Sequence, residues 1–571
     1  LERDQVVLLS GGHTAIGAEQ EPLDLELARE AILARKDQVS AFAVSSLFGT
    51  RNSSHELALR QLVIELTGKP VACGHELASS LGAPRRALTA ALNARMILYI
   101  QELITSVESI LRQRAINAPL MIVKGDGSLV NAETALLQPV ATVLSGPAAS
   151  VIGACALSGR QDAVVVDIGG TTTDIAIVTN GRPELCADGA RIGDWQPMVE
   201  AIRVFSIGLG GDSEIRFRGG INISQRRVVP MSLLAHQHPG VLSCLERQFA
   251  AAPSPRNNRF ALRLQRNEVL LRQLGDVERE AWERLGEGPV ELESLADGNR
   301  AMMRAIARLE RLGLVIYSGF TPSDATHVLG MSDHWSREAA EVGARIWARQ
   351  MRHLYGCGNW EVGDAVEPSR QVFDLVVRDI SRKLIEAGLN QHGKLVDSRA
   401  RNLTGLLADI VLLRDERQST QPLFQVQFAP DYPLVAVGGP AADFFPDVSR
   451  TLGMELVLPP NADTANAIGA VMGAVVQMAH ITVTQPEFGT FFLFHRDQPM
   501  RFDDLEGALE KARQLAMAEA TGLAEAAGAA NVETRIRHDA NHVKHDIDGE
   551  LFVSATITAI ATGRPGTRAA H

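Results

Sequence analysis

The segment VVVDIGGTTTDIAIV, residues Val164 to Val178, sets two glycines, three threonines and two aspartates between apolar runs. The runs Val164–Val166 and Ile175–Val178 predict buried strands, so the six residues bracketed by Asp167 and Asp174 form the loop of a tight hairpin. Gly169 and Gly170 free the backbone for positive φ and let a ligand approach the N–H groups. The hydroxyls of Thr171, Thr172 and Thr173 add donors. Converging N–H and O–H groups suit a phosphate. Asp167 and Asp174 cannot bind phosphate themselves; their place is on a Mg²⁺, directly or through its waters, or on an attacking water. A purely structural hairpin with β-suited threonines is the plain alternative. The full D-x-G-G-T-T-T-D between two strands favours phosphate.

Further stretches are needed to position such a loop. SGPAASVIGA (145–154) reads as a small-residue helix just upstream. FSIGLGGDSEIRFRGG (205–220) is a second glycine-rich stretch. VAVGGPAADFF (435–445) reads as strand, Gly-Gly turn and helix, where backbone passes under a nucleoside and the helix N-terminus favours anions. NAIGAVMGA (466–474) is a second close-packing helix. Two small-residue helices meeting between two lobes would permit hinge motion.

The 571 residues exceed one compact core and imply several domains. Strand- and helix-like segments alternate through the first 160 or so residues, from QVVLLSGG and VSAFAVSSLFG onward, which predicts an α/β class. Residues 225 to about 315 are rich in arginine and glutamate with helical period, which predicts an inserted helical subdomain. Its helix-to-strand ending resembles a winged-helix DNA reader, but balanced charges favour solvated helix faces. The α/β pattern then resumes, and a small α+β cap closes the chain. The net charge of −11 argues against broad nucleic-acid or anionic-membrane binding. The five cysteines, Cys73, Cys155, Cys186, Cys244 and Cys357, form no C-x-x-C, so reduced cytosolic thiols are expected. No signal peptide is visible. ANAIGAVMGAVVQMAHITV, the longest apolar helix candidate, is interrupted by Gln477 and His480 and suits an internal helix better than a membrane span.

With these stretches in order, the chain resembles the actin-like ATPase superfamily and, in detail, the hydantoinase/oxoprolinase A-type subunits. The matching segments are GGHTAIG…PLD (11–24), NSSHELALRQL, HELASSLGAPRRALTAALNA, LSGPAASVIGACALSG, DIGGTTTDIAIV, FSIGLGGDS, SGFTPSDATHVLG and GGPAADFFPDV. The resemblance implies an actin-like (ribonuclease H-like) two-lobe ATPase fold. The expected divisions are 1–160 for the first lobe, 161–224 with 370–480 for the second, 225–369 for the insert and 481–571 for the C-terminal domain. It implies ATP- and Mg²⁺-dependent opening of a cyclic amide such as a hydantoin or 5-oxoproline. Ketone carboxylation of the acetone or acetophenone type is the near neighbour, and a non-enzymatic actin-like scaffold is the alternative from another class. A separate B-type subunit, a homo- or hetero-oligomer, a cytoplasmic location, and no nucleic-acid or membrane partner also follow as expectations.

Carried over residue by residue, the match has Gly169, Gly170, Thr171, Thr172 and Thr173 hold the β/γ-phosphates, with Asp167 and Asp174 governing Mg²⁺ and water. Gly438, Gly439 and Pro440 would line the adenosine side, and Gly210, Gly211 and Ser213 would approach the nucleotide. Asp212 departs from the family's glycine-rich GGGS. It either holds metal or weakens ATP binding. The family carries two D-x-G-G-T-x-T-D-like loops, and this one matches the second. The chain opens on Leu1 with the first loop and its hairpin absent, so little ATPase activity is expected of the chain alone.

The lesser candidates divide the same way. Asp324 and His327, at i, i+3, fit a substrate or metal role as well as a helix cap with a packed histidine. His236 and His238, and His538, His542 and His545, resemble ligands by spacing alone and are expected to be solvated. His55 and His75 are expected to cap or pack, and Lys124 and Asp126 face the expected cleft.

Overall fold

The structure, a computed structural model, describes residues 3–186, 189–191, 193, 195–264, 268–296, 299–391, 398–412, 430–495, 499–545 and 549–566. The chain forms two compact units. One comprises Leu1–Gly153, Glu184–Arg203 and Asn466–His571; the other comprises Ala154–Pro183 and Val204–Ala465. Both mix helices with sheets.

The second unit is built around the hairpin. Strands Ala163–Ile168 and Thr173–Thr179 pair antiparallel, and Leu434–Val437 joins parallel to the first of them. Phe205–Ile207 pairs with the second strand, and Leu456–Val457 lies beside Leu434–Val437. The six-stranded sheet owes its stability to apolar burial. Val166, Ile168, Ile175, Leu434 and Ala436 pack against Phe373, Val376 and Ile380 of helix Val366–Leu389 and Phe444, Phe445 and Val448 of helix Ala441–Leu452. Those helical positions recur at three- and four-residue spacing, as an inward face requires. The strands run further than the apolar residues predict. Asp167 and Asp174 face each other inside the ladder, and so do Ile168 and Thr173. The connecting turn is therefore residues 169–172, because Ile168 and Thr173 are both buried and their pairing extends the sheet.

The arginine- and glutamate-rich segment of this unit contains a sheet as well as helices. Val229–Pro230, Val315–Gly319, Phe260–Arg263 and Val290–Glu291 form a four-stranded sheet. Helix Arg300–Arg311 covers it by burying Met302, Ala305, Ile306 and Leu309. Helix Val366–Leu389 runs through the division expected at 369/370.

In the first unit a seven-stranded sheet runs Met500–Phe502, Thr490–Phe494, Val475–Glu487, Gly549–Pro565, Ala529–His545, with Met121–Val123 and Leu129–Asn131 attached at Val475. Helix Leu505–Ala526 lies on this sheet through Ala508, Ala512, Ala516, Ala520 and Ala524, all fully buried. Alanine at every fourth position lets the helix backbone approach the strands closely, which accounts for the low-complexity composition there.

Two sequence expectations are corrected here. The apolar run from Ala465 is helical only as far as Met472, and from Val475 to Glu487 it is a strand crossing the division expected at 480/481. Gly473 sits against the Leu129 side chain, and beyond it Ala479, Ile481 and Val483 alternate into the core, so period two and sheet pairing win over helical propensity. No described helix is long and apolar enough to cross a membrane. The apolar part of the opening QVVLLSGG is not a strand, since Val6 and Leu8 are exposed and the first pairing begins only at its last residue, in Gly12–His13 with Glu19–Glu21. An apolar run with no neighbouring strand to receive its N–H groups gains nothing from extension.

Candidate functional site: a glycine cradle in the second unit

Within the second unit the glycine-rich stretches meet around the hairpin turn. The turn closes on itself through the Gly169 N–H, which donates to the Thr172 carbonyl at 2.9 Å. Loop 209–213 docks on it edge to edge. The Gly211 N–H donates to the Gly169 carbonyl at 3.0 Å, and the Asp212 N–H to the Gly170 carbonyl at 2.8 Å. A Cβ on Gly210 would lie 2.5 Å from the backbone atoms Gly169 O, Gly170 C and Thr171 N. Only glycine permits that approach.

The third stretch arrives through the sheet. Val437 pairs with Asp167, so the following Gly438 passes directly over the end of the first hairpin strand. A side chain there would strike the Ile168 carbonyl, and its φ of +97° lies where only glycine is relaxed. Pro440 then packs over Gly211, whose Cβ position is 3.1 Å from the proline ring and 2.5 Å from Ser323 Oγ. Helix Ala441–Leu452 follows Pro440 at once. Turn 169–172, loop 209–213 and turn 438–440 thus share one site.

The side chains divide into inward and outward groups. Thr173 is fully buried, and its hydroxyl donates to the Leu209 carbonyl at 2.7 Å. Ser213 is buried and accepts the Gly210 N–H at 3.0 Å. Both residues, expected to meet nucleotide, here brace loop 209–213 from inside. Thr171 and Thr172 are exposed, and Gly439 is exposed with open space beside it. The hairpin ladder does not use the N–H groups of Gly170, Thr171 and Thr172. These groups and the Thr171 hydroxyl are the donors an anion would meet. The close-packed glycines give the turn a shape that fits a polyphosphate.

Asp167 and Asp174 are half-buried side by side on the paired strands. The Ser206 and Thr172 hydroxyls donate to Asp174, the latter at 3.3 Å. Burial pushes the Asp174 carboxyl above its ordinary range, and these two bonds oppose the shift. Two adjacent carboxylates beside a donor-rich turn suit a hard divalent cation with retained waters.

Asp212 is buried with its carboxylate against Gly170 Cα, and Arg227 grips one of its oxygens through Nε at 3.2 Å and Nη2 at 3.1 Å. Burial raises its pKa, Arg227 lowers it, and the nearby Asp324 raises it; the net direction is upward.

Asp324 and His327, left open by sequence, are structural. Helix Pro322–Val328 starts with a capping box in which Thr321 and Asp324 bond reciprocally. Asp324 is fully buried and accepts from Thr321 N and Oγ1, Met231 N, and Ser232 N and Oγ, at 2.6–3.1 Å. His327 Nδ1–H donates to the Ser323 carbonyl at 2.7 Å, Nε2 accepts the Trp335 N–H at 3.1 Å, and the two rings stack. Both ring nitrogens are thereby engaged, with no lone pair left for a metal.

The remaining candidates lie on other elements of the chain. Lys124 and Asp126 pair at 3.1 Å within a turn of the first unit, where Asp126 also accepts from Ser128. His236 closes helix Met231–Gln237 and His238 follows it. His538 and His542 are exposed on strand Ala529–His545, and the His545 side chain lies outside the described residues. His55 is buried against Glu19 at 2.8 Å. One group escaped the sequence reading: Glu56, Cys73 and His75 of the first unit place ligand atoms within 4.8 Å of one another. They already bond internally. His75 donates its backbone N–H and ring Nδ1–H to Glu56 at 2.9 and 2.7 Å. Burial pushes the Cys73 thiol up to about 12, so it carries a proton. Nothing in the spacing of residues 56, 73 and 75 signals this; a crossover from helix to strand brings them together.

Comparison with known proteins gives a consistent picture. Residues 86–247 match the hydantoinase/oxoprolinase family. The caprolactamase subunit alpha of Pseudomonas jessenii is 30% identical over 206 residues, 34% of this chain and 29% of that protein. The acetophenone carboxylase gamma subunit of Aromatoleum aromaticum is 26% identical over 223 residues, 37% of this chain and 30% of that one. The chain thus aligns with about three-tenths of the length of these curated relatives. Two solved structures share the fold over 98% of this chain. They are a nucleotide-free acetone carboxylase, with TM-score 0.56, 14% identity and 69% of its chain covered, and the P. jessenii ATP-dependent caprolactamase, with TM-score 0.54, 15% identity and 70% covered.

Proposed function

We propose that this chain, whose residues 86–247 match the hydantoinase/oxoprolinase family, is an ATP-dependent enzyme subunit that activates a cyclic amide by phosphorylation before ring opening. The observation that carries the reading is the convergence of turn 169–172, loop 209–213 and turn 438–440 into one close-packed cradle. Bound MgATP would supply a γ-phosphoryl group that turns an amide oxygen into a leaving group. The chain's own part is to hold and orient. The N–H groups of Gly170, Thr171 and Thr172 and the exposed Thr171 hydroxyl receive phosphate oxygens. Gly169 and Gly210 shape the floor, with Thr173 and Ser213 bracing it. Asp167 and Asp174 hold Mg²⁺ through its waters or align the attacking water. Gly438, Gly439 and Pro440 pass along the adenosine side, and Gly211 is packed beneath Pro440. In this reading the fold is an actin-like two-lobe ATPase, and the protein works in the cytoplasm with a B-type partner in a hetero-oligomer.

Ketone carboxylation is the second reading, favoured by the 26% identity to the acetophenone carboxylase subunit and the same identity to the acetone carboxylase beta subunit of Xanthobacter autotrophicus. The cradle handles phosphate and serves either reaction. The test is ADP release by the chain with its co-purifying partner, driven by lactams, hydantoins or 5-oxoproline, or by ketones with bicarbonate. Amide-stimulated release supports the first reading and ketone-stimulated release the second. ATP binding that no substrate converts to turnover would refute both and leave a nucleotide-binding scaffold.

A further inference from the structure

We infer that Arg227, held by Asp212, is a phosphate-contacting residue of the cradle, and that Asp212 is its positioning residue. The inference rests on the nucleotide reading of the cradle and goes beyond it by assigning the cationic group.

The strand register brings Arg227 to the site. Ser213–Phe217 and Ile221–Arg227 form an antiparallel pair in which Arg227 lies opposite Ser213, the last residue of loop 209–213. The Asp212 carboxylate sits against Gly170 Cα, in the space any side chain at position 170 would occupy. Arg227 Nε and Nη2 both bind the oxygen that faces Gly170, at 3.2 and 3.1 Å. The guanidinium is therefore fixed one carboxylate away from the donor-rich turn. Its side chain remains 59% exposed, so its other N–H groups are open to solvent and to an anion at the turn.

Charge balance supports the assignment. Unpaired, Asp212 beside Gly170 would repel a polyphosphate. Arg227 cancels that charge. The neighbouring Glu214, nearly fully buried, is ion-paired with Arg216, Arg226 and Arg259. Near the end of loop 209–213, four guanidiniums thus face Asp212 and Glu214, with Glu310 on Arg226 as a further anion. Arg227 thus offsets carboxylate charge beside Gly170, where Asp167 and Asp174 bring two more carboxylates to the cradle. A planar guanidinium fixed by a carboxylate presents its remaining donors in a set direction, which suits phosphate oxygens better than a mobile ammonium would. The aspartate of this loop thus brings in a cation.

Calorimetric titration of the full chain with ATP, ADP and AMP tests this, in the wild type and in Arg227→Gln, Arg227→Lys and Asp212→Asn. The expected result is about a tenfold weaker Kd for ATP in Arg227→Gln, a smaller loss for ADP and little change for AMP. Arg227→Lys should recover part of the ATP affinity, and Asp212→Asn should lose affinity in the same ATP-selective order. Loss of packing alone would weaken all three nucleotides together. Unchanged ATP affinity in Arg227→Gln, or an equal loss for ATP and AMP, overturns the inference and leaves the nucleotide reading standing. A wild-type chain that binds none of the three overturns both. Should Arg227→Gln not fold, Arg227→Lys decides, since ATP affinity equal to wild type would show that the fixed fork is not used.

Discussion

Replacing Gly210 with alanine tests the cradle geometry most directly. The new methyl carbon would lie 2.5 Å from three backbone atoms of the turn, where ordinary contact begins at 3.4 Å. No flexible side chain can yield, so loop 209–213 and turn 169–172 must part by about 1 Å, the shortfall between those distances. That displacement disrupts the Gly211-to-Gly169 and Asp212-to-Gly170 hydrogen bonds, each worth about 1 kcal/mol net. Overpacking strain adds roughly 1–3 kcal/mol. A loss of about 3–5 kcal/mol follows, which lowers the melting midpoint of this unit by about 5–8 °C, at about 2.1 cal/mol/K of unfolding entropy per residue. A misplacement of this size costs on the order of 100-fold in a reaction that depends on positioning. The assay pairs thermal melting by circular dichroism with ATP titration. Gly522→Ala, in the exposed interior of helix Leu505–Ala526 with nothing within 4 Å of its Cβ position, is the control and should gain about 0.5–1 kcal/mol. A Gly210→Ala protein that melts within about 1 °C of wild type and binds ATP equally well would refute the packing of these two loops.

Asp324→Ala strands five donors in a fully buried cap, at about 1–3 kcal/mol for each group left unsatisfied, so the protein should not accumulate in folded form; wild-type expression and melting would contradict this. Glu56 tests the first unit through pH. Burial by itself would raise its pKa, but the hydrogen bonds from His75 and Ser46 and the His75 charge outweigh it, and the net shift is downward. A depressed folded pKa means stability that is present above the unfolded value of about 4.3 and fades as pH falls through the folded one. Glu56→Gln should therefore be less stable than wild type near neutral pH, with the gap narrowing as pH falls below about 4; a pH-independent gap would show that the ionised carboxylate is not what matters. Cys73, fully buried with its pKa pushed up to about 12, should resist iodoacetamide at pH 8 in the native protein and react after unfolding; native alkylation seen by mass spectrometry would disprove the burial.

The hairpin was legible from sequence because its information is local. Two apolar runs around Gly169 and Gly170 permit little else, and the small-residue and glycine-turn stretches carry equally local signals. The alanine periodicity of helix 505–526 could be read as a helix for the same reason. What failed was wherever local propensity competes with a distant partner. Residues 475–483 look helical in isolation and are extended because Gly549–Pro565 supplies a ladder to pair with. Residues 6–9 look extended and are not in a strand, with no such ladder.

Within the cradle, sequence by itself determined which residues are small enough for close backbone approach and which carry donors and carboxylates. Only the tertiary structure decided how they are used. Thr173 and Ser213 turn inward because loop 209–213 has buried carbonyl and N–H groups to satisfy. Asp324 and His327 become a cap and a packed ring because helix Pro322–Val328 is buried on every side, and buried polar groups must find partners. Asp212, ambiguous as a letter beside two glycines, acquires its meaning from Arg227, fifteen positions away in sequence and bound to it across a strand pair. Types and local spacing are properties of a chain, whereas charge compensation and hydrogen-bond satisfaction depend on what the fold brings within about 3 Å.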